Sequence, residues 1–301
     1  MAKETRVLVV GAGQMGGGIA QVAAQAGNAV WLNDRSQELI DAGLHTIARN
    51  LERSVEKGRL TSEQRDAALQ RIRPFPELEP VEVDIAIEAA TENERLKLEL
   101  FKKLDERTPP RAILASNTSS ISITRLAAAT SRPGSVIGMH YFNPVPLMKL
   151  VEVIRGVTTS QATYEFVEAL AREHGKTPVE VRNFPGFVSN RILCPMLNEA
   201  IFALYEGVGS VESIDTVMKL GMAHPMGPFE LADFIGLDTL LSILLVLYDG
   251  FKDPKYRPCP LLVEYVDAGW LGRKSGRGFY TYAAPGGALV RNGTAATGAT
   301  A

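Results

Sequence analysis

Four histidines occur in 301 residues, and one of them, His140, ends an apolar segment and meets a turn carrying two prolines. The run reads Met139-His140-Tyr141-Phe142-Asn143-Pro144-Val145-Pro146-Leu147-Met148-Lys149-Leu150-Val151-Glu152-Val153. Glu152 lies inside a second apolar segment, where a carboxylate is costly unless it has a partner. A buried carboxylate within reach of an imidazole fixes the tautomer of a general base and stabilises its charged form. The competing reading is a satisfied structural histidine, so the rest of the chain must supply something for a base to act on.

A candidate partner chemistry lies near the N-terminus. Gly11-Ala12-Gly13-Gln14-Met15-Gly16 is a G-x-G-x-x-G run with a strand-like segment before it and a helix-like one after it. In that setting Gly11 permits the tight turn, Gly13 lets a pyrophosphate approach the backbone, and Gly16 lets the helix pack against the sheet. Gln14 and Met15 open the helix, whose first N–H groups face the phosphates. Asp34 ends the next strand, 18 residues after Gly16. Its carboxylate would accept from the adenosine ribose hydroxyls and repel a 2′-phosphate, favouring NAD over NADP. A plain strand-to-helix turn is the alternative.

Further polar residues end later strands, where an open α/β sheet places its ligand crevice. Glu92 and Lys97 are cofactor candidates, against the plainer reading of a helix-start acid near a solvated lysine. Ser116-Asn117-Thr118-Ser119-Ser120 gives five small polar residues where a helix N-cap needs one, which points to a binding surface. Ser119, His140, Glu152 and Asn190 match no metal-ligand spacing, and no metal is expected. They suit an alcohol–ketone interconversion, in which a base takes the hydroxyl proton while hydride goes to nicotinamide.

These residues need elements to position them. Residues 6–10, 29–33, 84–89, 112–116 and 136–139 read as strands, and residues 16–26, 37–56 and 94–106 as helices. Strands alternating with helices predict a Rossmann-type doubly wound, mainly parallel sheet. Residues 150–154 and 179–182 read as edge strands flanking a helix at 161–172. Near Asn183-Phe184-Pro185-Gly186 the texture becomes helical, with helices expected at 187–205, 211–219, 229–248 and 261–268. The expected division is a nucleotide-binding domain over 1–184, an all-α domain over 185–282 and a disordered tail over 283–301. The 229–248 segment is apolar nearly all round and predicts a subunit interface.

Composition bounds the class. Lys plus Arg is 32 and Asp plus Glu is 34, so there is no basic excess for a nucleic-acid backbone. The longest apolar run, 240–247, is far short of the roughly 20 residues that span a bilayer. Cys194 and Cys259 make no disulfide framework and read as reduced thiols of a cytoplasmic protein. The start runs straight into a strand, so no secretory leader is expected.

Taken together, Gly11 to Gly16, Ser116 to Ser120, His140 to Glu152, Pro185-Gly186-Phe187-Val188-Ser189-Asn190-Arg191 and Pro225-Met226-Gly227-Pro228-Phe229 resemble the L-3-hydroxyacyl-CoA dehydrogenase family, the bacterial 3-hydroxybutyryl-CoA dehydrogenases most of all. The resemblance runs from Thr5 to about Tyr282. It implies that His140 is the base and Glu152 its orienting partner, and that Ser119 and Asn190 bind the reacting oxygen and the thioester carbonyl. It implies NAD contacts from Asp34, Glu92, Lys97 and Asn117, with Lys274 joining from the C-terminal segment, and a coenzyme A contact at Lys57. Ser189 departs from the aliphatic residue common before this asparagine. The implied partners are an acyl-CoA substrate, a second copy of the chain docked through the helical domain, and a hydratase and thiolase on separate chains.

Two neighbouring readings keep the fold. One is a dehydrogenase of a small free hydroxy acid, gulonate- or carnitine-like; the other is an NAD-binding relative without turnover. The two proline turns favour the thioester over the first, and the complete set of four polar residues argues against the second. The β-hydroxyacid dehydrogenases are excluded, because Ser189, Asn190 and Arg191 stand where that group has a lysine.

Overall fold

The computed structural model describes residues 4–290. These residues form two compact units that divide between Phe187 and Val188. The first unit contains β1 (Arg6–Val10), α1 (Gln14–Gln25), β2 (Ala29–Asn33), α2 (Gln37–Glu56), α3 (Ser62–Gln70), β3 (Ile72–Pro74), β4 (Ile85–Glu88) and α4 (Glu94–Arg107). It continues with β5 (Ile113–Ser116), α5 (Ile123–Ala128), β6 (Val136–Tyr141), β7 (Leu150–Arg155), α6 (Gln161–Glu173) and β8 (Thr177–Arg182). Its sheet runs β3-β2-β1-β4-β5-β6-β7-β8, the doubly wound order with two added strands.

Alternation along β1 explains why helices cover both faces. Val7 and Val9 join one fully buried cluster with Ile19, Leu32 and Ile47, while Leu8 and Val10 join another with Phe101 and Leu104. A strand buried on both sides reads as a continuous apolar run, as this one does. All neighbouring pairs are parallel except β6 and β7. The turn joining those two is too short for a crossover, so the chain reverses and pairs antiparallel.

Three expectations need correction here. β7 is not an edge strand, because β8 covers it and only β8 forms that edge. α3 and β3 escaped notice, since α3 is short and polar; its signal was the capping box in which Thr61 and Gln64 cap each other's backbone. Helix α7 begins at Ser189, because Phe187 has a positive φ of 51°.

The second unit is helical: α7 (Ser189–Tyr205), α8 (Val211–Gly221), α9 (Pro228–Ile235), α10 (Leu237–Phe251) and α11 (Pro260–Asp267). The single apolar helix expected over 229–248 is two helices bent by 94° at Gly236, whose φ of 100° no helix continues. The bend gives α10 an interior inside its own unit, where Leu237, Leu240, Leu244 and Leu247 are fully buried. No single helix among the described residues is long and apolar enough to cross a membrane. Both cysteines lie in this core, and burial pushes the Cys194 thiol up to about 12.

Two buried aspartates explain the glycine-rich stretches of this unit. Asp215 accepts from the backbone N–H groups of Phe229 and Glu230 at 2.8 and 3.1 Å, capping α9 from a neighbouring helix. A Cβ on Gly227 would lie 2.2 Å from that carboxyl carbon, so Pro-Met-Gly-Pro-Phe needs its glycine. Asp233 accepts from Phe279 N, Tyr280 N and the Tyr282 hydroxyl, and a Cβ on Gly278 would collide with it. Residues 283–290, expected to begin a disordered tail, are instead tied back. Leu289 bridges to Tyr282, and the Arg273 guanidinium donates to the carbonyls of Gly286 and Gly287. The remainder of the expected tail lies outside the described residues.

In the first unit His174 is buried between Tyr141 and Asn28. Its Nε2 lies 2.9 Å from Asn28 Oδ1, an acceptor, so Nδ1 accepts from the Tyr141 hydroxyl at 2.8 Å. Burial first, and then the Lys176 ammonium, push the imidazole down to about 4. An unfolded histidine binds its proton below about 6.5 while the folded one does not, so His174 contributes stability above that pH and loses it as pH falls towards 4. Urea unfolding of the wild type and His174→Gln should show their stability difference shrinking by about 2–3 kcal/mol between about pH 7.5 and 4.5. An equal difference at both pH values would contradict this assignment.

Candidate functional site

The antiparallel ladder of β6 and β7 sets His140 directly opposite Glu152. Facing residues of such a ladder share one side of the sheet with closely spaced side chains. Here His140 Nδ1 is 2.8 Å from Glu152 Oε2, with His140 8% and Glu152 2% exposed. A carboxylate only accepts, so the shared proton sits on Nδ1 and Nε2 keeps its lone pair in the neutral ring. Phe142 and Phe187 flank the imidazole at ring-centre distances of 4.7 and 5.9 Å. The arrangement is that of an oriented base with an apolar surround.

The C-terminal ends of β1, β2, β4 and β5 lie along the same edge of the parallel sheet as that of β6. Gly11 turns the chain at φ 107°, and a Cβ there would lie 2.6 Å from the Ala89 carbonyl oxygen. Gly16 is tighter still, since its Cβ would meet Gly11 O at 1.7 Å, whereas nothing lies within 4 Å of one built on Gly13. α1 has Gly13 as N-cap, no side-chain cap and no acid in its first turn, which Gln14 and Met15 open. Its first N–H groups thus point into open space suited to a phosphate, so the residues present fit a dinucleotide. Asp34 accepts from Ala12 N and Arg35 N, both at 2.7 Å, and tethers β2 to the glycine turn. A pocket of about 550 Å³ opens here, lined by Gly13, Gln14 and Asp34, by α2 and by Asn143 to Pro146.

The loop after β5 is organised by one carboxylate. Glu92 Oε1 accepts from Thr118 Oγ1 at 2.6 Å, from Ser119 N and Oγ at 3.0 and 3.3 Å, and from Ser120 N and Oγ at 3.2 and 3.0 Å. Burial would raise its carboxyl, but the Lys97 ammonium and these donors together hold it below the usual range. Asn117 pins the same loop to β6, its Oδ1 accepting from Tyr141 N at 2.9 Å.

Lys97 is more enclosed than a solvated surface lysine. At 1% exposure it offers no surface to a nucleotide. Its ammonium lies 2.6 Å from Glu88 Oε1, 3.1 Å from Ala90 O and 3.4 Å from Glu92 Oε2, so it acts through Glu92. Glu88, fully buried, is the residue that sequence reasoning passed over. Its other oxygen accepts from Ser116 Oγ at 2.7 Å. The available signal was a carboxylate ending the apolar run Ile85-Ala86-Ile87.

Three further residues belong to the expected site. Lys57 is exposed at the C-cap of α2. Asn190 stands in the first turn of α7 in the second unit, with its Oδ1 4.0 Å from Cys194 Sγ. Lys274, also in that unit, pairs with Asp238 at 2.5 Å. Among the described residues no group of three or more His, Cys, Asp or Glu side chains is arranged to hold a metal.

The Glu88–Lys97 pair should reveal itself in stability. Lys97→Met strands a buried carboxylate and should cost about 3–5 kcal/mol in urea unfolding, with the Glu88→Gln, Lys97→Met double variant recovering most of it. A Lys97→Met protein within about 1 kcal/mol of wild type would show that Lys97 does not neutralise Glu88.

Comparison with known proteins bears on what this arrangement does. Residues 6–184 match the family profile described as 3-hydroxyacyl-CoA dehydrogenase, NAD binding domain, and residues 186–282 match the corresponding C-terminal domain. The chain is 59% identical over 278 residues to a probable 3-hydroxybutyryl-CoA dehydrogenase of Bacillus subtilis, covering 92% of this chain and 97% of that protein. It is 42% identical to the mitochondrial hydroxyacyl-coenzyme A dehydrogenase of Rattus norvegicus, covering 92% and 90%. The crystal structure of (S)-3-hydroxybutyryl-CoA dehydrogenase from Ralstonia eutropha superposes with a TM-score of 0.91 at 52% identity, covering 93% of this chain and all of that one.

Proposed function

The chain belongs to the 3-hydroxyacyl-CoA dehydrogenase family, and from that membership we propose that it oxidises (S)-3-hydroxyacyl-CoA, such as 3-hydroxybutyryl-CoA, to 3-ketoacyl-CoA with NAD and runs the reverse reduction. The observation that carries the reading is the 2.8 Å contact between His140 Nδ1 and Glu152 Oε2. It leaves Nε2 as the atom that takes the proton of the 3-hydroxyl. NAD, when bound, supplies the acceptor for the hydride leaving the carbinol carbon. The glycine turn, Gln14, Met15 and Asp34 would hold it, with Glu92 and Asn117 beside it and Lys97 acting through Glu92.

As His140 gains the proton, Glu152 balances the imidazolium inside an apolar surround, and the same proton returns in the reductive direction. Ser119 and Asn190 bind the reacting oxygen and the thioester carbonyl, Lys57 meets coenzyme A, and Lys274 adds to the cofactor contacts. The enzyme works in the cytoplasm as a homodimer through its helical unit, with hydratase and thiolase on separate chains. Support for that interface comes from Leu220, Val217 and Phe234, which stand 83%, 59% and 53% exposed.

Oxidation of NADH by acetoacetyl-CoA should be rapid, and free acetoacetate a poor substitute; equal rates would favour a free hydroxy acid as the natural substrate. His140→Gln should lower turnover by about 10²–10⁴-fold while NADH still binds. Near wild-type turnover in that variant would remove His140 from the chemistry. Glu152→Gln should lower turnover and shift the pH–rate profile; an unchanged profile would make Glu152 merely structural. NADPH should be a weak donor, and comparable rates with both cofactors would refute the role of Asp34.

A further inference from the structure

Two carboxylates share one ammonium beyond the end of β4. Lys97 Nζ lies 2.6 Å from Glu88 Oε1 and 3.4 Å from Glu92 Oε2, and among the described residues no second cation pairs with either acid. The side chains of Glu88 and Lys97 are enclosed, whereas that of Glu92 is 39% exposed. Glu88 is also fixed in place, its Oε1 accepting from Ala90 N and its Oε2 from Ser116 Oγ, both at 2.7 Å. Against burial, the Lys97 ammonium and the donors after β5 hold the Glu92 carboxyl below the usual range, so it is ionised near neutral pH. Wherever the proton between Glu88 and Lys97 resides, the three side chains carry one net negative charge. Stapling the loop after β5 needs an acceptor oxygen, which a glutamine side chain also offers. The surplus charge asks for a second account.

The strand order supplies one. Along β2, β1, β4, β5 and β6, the residues at or just beyond the C-terminal ends are Asp34, the glycine turn, Glu88, Ser116 and His140. A dinucleotide with its adenosine ribose at Asp34 and its pyrophosphate at α1 has its nicotinamide on the side that leads through β4 and β5 to His140. The base demands the same placement, since hydride and proton leave the carbon and the oxygen of one carbinol.

We propose that Glu88, Lys97 and Glu92 form a charge set that discriminates between the two redox states of the cofactor, favouring the oxidised one. The oxidised nicotinamide ring carries a positive charge that the reduced ring lacks. A fixed negative charge beside it stabilises the first and has little hold on the second. The proposal rests on NAD as the cofactor given above. In the reductive direction hydride passes from the reduced ring to the 3-keto carbon while the keto oxygen takes the His140 proton. A set that favours the oxidised ring draws that step forward. Glu152 contributes its own charge equally in every variant below.

Dissociation constants of NADH and NAD, from NADH fluorescence and its displacement, test this without turnover. Glu92→Gln and Glu88→Gln each leave the set neutral and keep an acceptor oxygen. Each should lower the ratio of the Kd of NADH to that of NAD by about three- to tenfold. The Glu88→Gln, Lys97→Met double variant regains one net negative charge and should return the ratio to within about twofold of wild type. A merely structural role would move both constants together and leave the ratio as it is. An unchanged ratio in folded Glu92→Gln overturns the proposal, and so does a double variant with a ratio as low as that of Glu88→Gln. Should Glu88→Gln not fold, the double variant is set against Glu92→Gln in the same way. Wild-type protein that binds neither NADH nor NAD would instead overturn the cofactor on which the proposal stands.

Discussion

One reversal of strand direction governs the sheet-bearing half of this molecule. β1 through β6 run parallel, as a doubly wound sheet requires, and then β7 returns antiparallel against β6. A thirteen-residue stretch thereby becomes a hairpin whose register, not its sequence spacing, brings an imidazole onto a carboxylate. Had β7 joined through a helical crossover, its side chains would meet β6 in a parallel register and Glu152 would have no fixed partner. The reversal also creates the turn that faces the nucleotide helix, so the imidazole, its carboxylate partner and that turn come from one supersecondary unit.

A second theme is the use of acids as staples for loops. Glu92 gathers the N–H groups after β5, Asp34 holds Ala12 in the glycine turn, and Asp105 holds Ser131. In the helical unit Asp215 and Asp233 do the same for α9 and for residues 279–280. A carboxylate can accept several N–H groups that no other backbone would satisfy, which suits segments that have neither helix nor ladder bonds. Burial pushes the carboxyls of Asp215 and Asp233 up even so, and the donors around them partly offset that cost.

Much of this was legible in the amino-acid order. Short apolar and β-branched runs marked most strands of the sheet, the glycine run with Asp34 marked a dinucleotide turn, and His140 with Glu152 stood out because both interrupt apolar segments. What stayed hidden depends on distant pairing. Glu88 looks like a strand end until Lys97 and Ser116 close on it from α4 and β5. The break at Gly236 was masked because leucines on either side give the same apolar pattern whether the helix runs on or bends. Asp215 and Asp233 sit in unremarkable helical segments, and only the glycines that yield to them hinted at their positions.

The tether from Asp34 to Ala12 constrains how this enzyme's descendants can diverge. The carboxylate proposed to select a ribose is the one whose Oδ2 fastens β2 to the glycine turn. On the role proposed for Asp34, a small neutral residue there admits a 2′-phosphate and at the same time releases the glycine turn. Cofactor preference and phosphate affinity are then tied to one side chain, and a lineage changing nicotinamide cofactor on that route needs a separate anchor for Ala12.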